Sequence, residues 1–286
     1  MGYELKPEEK IAHGLRRVAG EQTKAIIKNL GEKRPHRRAR SIHAARTGTK
    51  KMRALLRLVR GRLGKSRYHK EARVLRKVAH ASSRLRDAEV LLTMLERICR
   101  RHRGKVSEHD FSDFRRTLSR AHKKLLKKTF ARVNPLKARL RAARKRIKQW
   151  PLKKLGWRDV WPEIETAYSR YASAHANAEQ SRTVEKLHAW RRRAKRLWYH
   201  LCLLKPVSPK PMGKLLNELE AIGKYLGEDH DLAVFEATAK AENLDPVHLK
   251  TLSALIRARR IRLQESAFKL ARRLDQGDIF KRPQNP

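Results

Sequence analysis

The chain has 286 residues, 40% of them hydrophobic, with 72 Lys and Arg against 28 Asp and Glu and a formal net charge of +44. That apolar share excludes wholesale disorder, while a charge of this size opposes compaction unless an anion is close by for much of the protein's life. Only Cys99 and Cys202 are present, which excludes a disulfide framework, and charges interrupt every apolar run well short of the ~18 residues a membrane span needs.

From the start, Met1-Gly2-Tyr3-Glu4-Leu5 lacks the apolar stretch of a signal peptide, so a soluble, cytoplasmic and reducing setting is expected. Apolar residues then recur three and four apart almost throughout, and alternating strand-like runs are missing. The periodicity predicts an all-α chain with helices over 7–30, 37–63, 68–100, 107–133, 135–150, 160–180, 182–205, 210–240 and 246–275. Breaks are expected at Gly31–Pro35, Gly64, Gly104, Pro151–Gly156 and Pro206–Pro211. Asn134-Pro135 and Asp245-Pro246 each set a capping side chain before a proline suited to the first helical turn, and Ser107 with Asp110 resembles a capping box.

An internal repeat organises these helices. IHAARTGTKKMRALLRL around residue 43 aligns with LHAWRRRAKRLWYHLCL around residue 188, pairing His43 with His188, Arg46 with Arg191, Lys50 with Lys195 and Lys51 with Arg196. Farther on, LRDAEVL at 85–91 meets DHDLAVF at 229–235, pairing Asp87 with Asp231. The pattern predicts a duplicated four-helix unit: two bundles related by pseudo-twofold symmetry, residues 1–150, with a basic insert helix at 135–150, and residues 151–286. The halves differ in charge, with 46 Lys and Arg against 12 acids in the first and 26 against 16 in the second.

On a helical wheel, His43, Arg46, Lys50, Arg53, Arg57 and Arg60 share one sector, and Met52, Leu55, Leu56, Val59 and Leu63 lie roughly opposite. One face therefore packs, and the other strings basic groups over ~26 Å at 1.5 Å per residue. No acid occurs in residues 33–70, so nothing local neutralises the stripe, and like charges four apart disfavour the helix unless an anion lies along it. The matched helix carries His188, Arg191 and Lys195, flanked by Arg192, Arg196 and Tyr199, with Leu187, Trp190, Leu197, Leu201 and Leu204 on its packing side. Trp198 and Cys202 replace Arg53 and Arg57 there, so this stripe is expected to be the weaker. The next helix of the first half presents Arg73, Arg76, His80, Arg84 and Asp87 on one face with Lys77 beside it, as a second wall of a basic groove; its counterpart keeps Lys224 and Asp231 but has Glu220 and Glu228 in place of Arg76 and Arg84. Asp87 is expected to orient an Arg fork or form a surface ion pair.

The paired His-x-x-Arg-x-x-x-Lys helices, each followed by an Asp-bearing segment, resemble the CHAD family (conserved histidine α-helical domain) over about residues 7–275. The resemblance implies basic helices facing a shared groove, binding of inorganic polyphosphate, and, as in some members, residence on polyphosphate granules. Carried over by position, the implied contacts are His43, Arg46, Lys50, Arg53 and Arg57 with His188, Arg191, Lys195 and Arg196. Trp198 departs from the basic residue usual in the family, and Ser82-Ser83 from the usual Leu-Gly.

Two other functions fit parts of the pattern. A nucleic-acid binder would use the same cations, but single-strand binders add aromatic platforms, and aromatics make up 6% here; weaker nucleic-acid binding beside polyphosphate is the expectation. A phosphohydrolase would want clustered carboxylates on the His43 and His188 helices, which lack them; Glu163-x-Glu165 falls in a helical segment rather than a barrel strand. A non-catalytic protein without cofactor or metal is therefore expected, with His43 and His188 tightening anion binding as pH falls toward 6.

Overall fold

The computed structural model describes residues 2–103, 106, 109–207 and 212–275. Among them ten α-helices and two short 3-10 turns occur and no strand, as the 3.6-residue periodicity requires. α1 (Ile11–Leu30) starts later than expected, because residues 2–10 form a strap instead of a first helical turn. The Tyr3 hydroxyl donates to the Lys51 carbonyl at 2.9 Å and Leu5 N–H to the Leu203 carbonyl at 2.9 Å.

α2 (Pro35–Leu58) and α3 (Arg60–Leu63) replace a single expected helix, the backbone breaking at Val59. Gly64, at φ 73°, then turns the chain into α4 (Lys65–Arg101), a backbone conformation that favours glycine. α5 (Ser112–Ala131) follows a 3-10 turn at His109–Phe111; Gly104, Ser107 and residues 208–211 of the later break lie outside the described residues. α6 (Val133–Ile147) corrects one expectation: Asn134 caps nothing, because Arg132 alone separates α5 from α6, and Asn134 and Pro135 lie inside the first turn. Proline is tolerated there, since the N–H groups of that turn have no intrahelical acceptor.

The second half holds α7 (Trp157–Gln180), α8 (Val184–Leu204), α9 (Gly213–Ala241) and α10 (Pro246–Asp275). Here the Asp245 cap is as expected, its Oδ1 accepting from the N–H groups of Val247 (3.0 Å) and His248 (3.2 Å). Glu163 and Glu165 are helical, within α7. No described helix is long and apolar enough to cross a membrane.

Packing follows the same order in both halves: α1 on α2, α2 on α4 and α4 on α5, then α7 on α8, α8 on α9 and α9 on α10. Across the halves α2 meets α8 and α4 meets α9. The cores, however, are shared. One takes in Leu15, Leu55 and Leu56 with Trp190, Leu197 and Leu219; the other joins Met94, Ile98 and Phe114 to Phe235, Leu252 and Ile256. The connection between halves is itself packed, with Trp150, Leu152 and Leu155 buried and the Trp150 carbonyl accepting from Arg16 Nη2 at 2.7 Å. His200 ties α8 to α2, its Nε2–H donating to the Ala54 carbonyl at 3.1 Å.

Candidate functional site: a cluster of cations where α2 meets α8

The apolar positions of both matched helices are buried as their periodicity demands: Met52, Leu55, Leu56, Val59 and Leu63 on one side, Leu187, Trp190, Leu197, Leu201 and Leu204 on the other. With those faces committed to the core, the cations between them converge where α2 meets α8. Lys50 of α2 lies in the field of Arg46 from its own helix, Arg191 and Lys195 from α8, and Arg86 from α4. Burial first, and then these cations, pull its ammonium from 10.5 down to about 8, although much of its surface remains open to solvent. Lys195 is likewise lowered to about 8, by burial and then, against the raising pull of Glu220, by Arg191 and Lys224. Burial also lowers Arg191, partly offset by Asp231.

A second group continues the groove. Arg196 is lowered to about 10 by burial and by Arg57, Arg193, Arg170 and Arg53. Arg53 in turn feels Arg57 and Arg76. Arg191 Nε and Arg196 Nη1 are buried without a hydrogen-bond partner among the described residues, as are His188 Nδ1 and His230 Nδ1. Buried N–H donors of charged groups are costly when unpaired, so the arrangement suits a ligand that brings acceptor oxygens and negative charge together.

The histidines behave differently from expectation. His188 lies against His230, ring centroids 3.9 Å apart, and burial followed by His230 and Arg191 pulls it to about 4. His43 is lowered too, by burial and Arg86. In the free protein His188 is therefore neutral at pH 6, and any gain in anion affinity from its protonation extends to lower pH than the sequence alone suggests.

Other expected site residues scatter. Tyr199 is buried, edge-on to Tyr3, with Lys195 Nζ 5.5 Å from its ring centroid. Lys51 turns toward Tyr3, its Nζ 5.2 Å from that ring centroid, and Arg60 toward Tyr68 at 5.3 Å. Arg192 is exposed, and its charge is felt by both His188 and Arg193. Lys224 is exposed and paired with Glu220 at 3.0 Å. Arg76, Lys77 and His80 are exposed and border a separate open depression against α6. Arg84 is exposed, some 200° around α4 from the groove-facing Arg86.

Sequence reasoning missed Arg86, Arg170, Arg193 and His230, and misread Trp198. Lys195 Nζ stands 3.8 Å from the Trp198 ring centroid, a cation–π contact that holds the ammonium without neutralising it. It also passed over Gly223 and Gly227 of α9. A Cβ on Gly223 would lie 2.6 Å from Lys195 Cδ, and one on Gly227 3.1 Å from Arg191 Nε. The glycine pair is a notch through which the two cations cross α9, legible as Gly-x-x-x-Gly in an otherwise ordinary helix. Gly223→Ala should therefore weaken anion binding several-fold while thermal stability changes little, because the ~1 kcal/mol by which Ala is favoured over Gly in a helix interior offsets the displacement of the Lys195 side chain. Binding and melting temperature measured together check this; parallel loss of both would make the notch a packing feature only.

The fold defines a member of a known class. A family model for the CHAD domain matches residues 17–240, and the chain belongs to that family. The crystal structure of the CHAD domain from the plant Ricinus communis superposes with a TM-score of 0.67 at 14% identity, covering 97% of this chain and 91% of that one. No curated protein matches the sequence.

Proposed function

We propose that the chain is a non-catalytic binder of inorganic polyphosphate, held in the groove between α2 and α8 by cations from two matched halves, which would bring it to polyphosphate granules. The observation that carries this reading is the concentration of partly desolvated cations with depressed pKa values, among them Lys50, Lys195 and Arg196. Such a cluster opposes its own folding, and a flexible polymer with negative charge on every phosphate relieves it along its whole length. The carboxylates nearby favour binding over phosphoryl transfer. Glu89 accepts from Arg86 at 3.2 Å, Glu220 pairs with Lys224 at 3.0 Å, and Asp231, with Asp87 in range of it, faces Arg191 and His230; among the described residues these acids form no cluster of three or more that could hold a metal ion.

The test is competition at about 0.15 M salt, where unspecific electrostatics are weakened. Long-chain polyphosphate should displace duplex DNA and RNA at matched phosphate concentration. Equal or tighter binding of either nucleic acid would overturn the assignment; salt dependence alone decides nothing, since all three ligands lose affinity with added salt.

A further inference from the structure

We propose that a cleft of about 410 Å³ between α4 and α10, above the second shared core, binds a small amphipathic anion, an apolar chain or ring bearing one anionic head group. The cleft is separate from the cations of α2 and α8, and the inference does not rest on the polyphosphate reading. Packing creates the space. α4 and α10 both lie against α9 but barely touch one another, which leaves a gap over α9. Met94 and Ile98 of α4, Leu232 of α9 and Ile256 of α10 form its floor, all buried members of that core, with Leu255 half-buried beside them. A concavity of this size with an apolar floor and a few polar groups at its edge suits a small organic ligand.

The rim supplies the charge. Arg97, Arg100 and Arg101 follow one another at helical spacing on the last turns of α4, and Arg259 stands across from them on α10. Among the described residues Glu228 of α9 is the one acid lining the cleft. Arg259 holds both its oxygens, Nε donating to Oε1 at 2.8 Å and Nη2 to Oε2 at 3.1 Å, and Arg101 Nη1 lies 3.9 Å away. That carboxylate is therefore satisfied and neutralises one guanidinium, while Arg97 and Arg100 are exposed and have no acid partner among the described residues. An anionic head held there meets two guanidinium forks while its apolar body lies on the floor. Glu228 also accounts for a break in the internal repeat. It stands where the first half has Arg84, and its partners are the arginines of this cleft.

The experiment titrates decanoate, hexanoate and decanol into the full chain at about 0.15 M salt, followed by calorimetry. The proteins are wild type, Arg97→Gln with Arg100→Gln at the rim, Leu255→Trp to fill the cleft, and Arg262→Gln with Lys269→Gln on α10 as an equal change of net charge. Arg97, Arg100, Arg262 and Lys269 are exposed and Leu255 is half-buried, and circular dichroism checks folding of each variant. Wild type should bind decanoate at least about tenfold more tightly than hexanoate, since each buried methylene is worth up to about fourfold. The rim variant should lose about tenfold or more for decanoate and less than about twofold for decanol, beyond what the α10 variant loses. Leu255→Trp should abolish binding of both while keeping wild-type affinity for polyphosphate, so a failure here is distinct from a failure of the α2 and α8 site. Equal affinity for hexanoate and decanoate, equal losses in the rim and α10 variants, or wild-type decanoate binding by Leu255→Trp would each overturn the proposal. Sedimentation supplies a last check: a dimer that Leu255→Trp disrupts would place a second copy of the chain in the cleft and overturn it likewise.

Discussion

Reversing Arg191 and Lys195 to Glu together is expected to weaken polyphosphate binding about a hundredfold or more, and as severely as reversing Arg46 and Lys50. Hydrogen bonds to charged groups are worth about 1.5–3 kcal/mol each, and every ~1.4 kcal/mol is tenfold in affinity, so two lost contacts and two repulsive charges reach that range. Stripe composition alone ranks the second half below the first, since Trp198 and Cys202 stand where the first half has arginines. The arrangement of the cations argues for equal ranks instead. Lys50 is surrounded by Arg191 and Lys195 as well as by Arg46, so the two double variants cut into one site from opposite walls. Trp198 holds the Lys195 ammonium in place instead of interrupting the stripe. A titration with labelled polyphosphate, on variants shown folded by circular dichroism, checks the result. A tenfold or larger gap between the two double variants would show that the halves bind separately.

Binding should also take up protons at mildly alkaline pH. Lys50 and Lys195 are lowered from 10.5 to about 8 in the free protein. A bound anion favours their charged forms and lifts both pKa values, so the complex holds more protons than the free protein between pH 8 and the lifted values. Affinity should be highest below about pH 8 and fall as pH rises above it. Calorimetry at pH 8.5 in two buffers of different ionisation enthalpy should report uptake of more than about one proton per site, abolished in Lys50→Met with Lys195→Met. Uptake that survives in that variant would remove these lysines from the site. The free fold has the opposite trend: because the folded pKa values lie below the unfolded 10.5, its stability should rise as pH climbs from 8 toward 10.5. Any contribution of His188 belongs to a separate window, between its free value of about 4 and its value in the complex.

The all-α architecture and the α2 and α8 core faces were legible because burial imposes a 3.6-residue period on a single helix. The site was legible only as far as one helix extends. His43, Arg46, Lys50, Arg191 and Lys195 could be chosen from the repeat, but the wall opposite them could not. Two registers of α4 are basic, one through Arg76, His80 and Arg84 and one through Arg86, and in a chain with 72 Lys and Arg charge does not say which faces inward. Packing decides it: α4 against α9 turns Arg86 toward Arg191, while Arg76 stays exposed on a side that α6 lies beside. Arg170 and Arg193 were invisible for the same reason, since their positions in the groove depend on how α7 and α8 sit against α2. Tyr199 shows the reverse failure. Beside a stripe in sequence, it is buried because the N-terminal strap brings Tyr3 over it.

The shared cores bear on how the chain folds as it is made. Phe114 and Met94 emerge from the ribosome long before Leu252, Ile256 and Leu263, the residues of α10 that close the same core. Loops of that length are costly to close and slow the search, so this end of the molecule stays open until α10 has been made. Throughout that interval the nascent chain is the more basic half, with 46 Lys and Arg against 12 acids in residues 1–150. It carries exposed apolar surface and a strong positive field beside the most abundant polyanion in its surroundings, the ribosome's own RNA, and truncated or stalled chains inherit that adhesion without the completed fold.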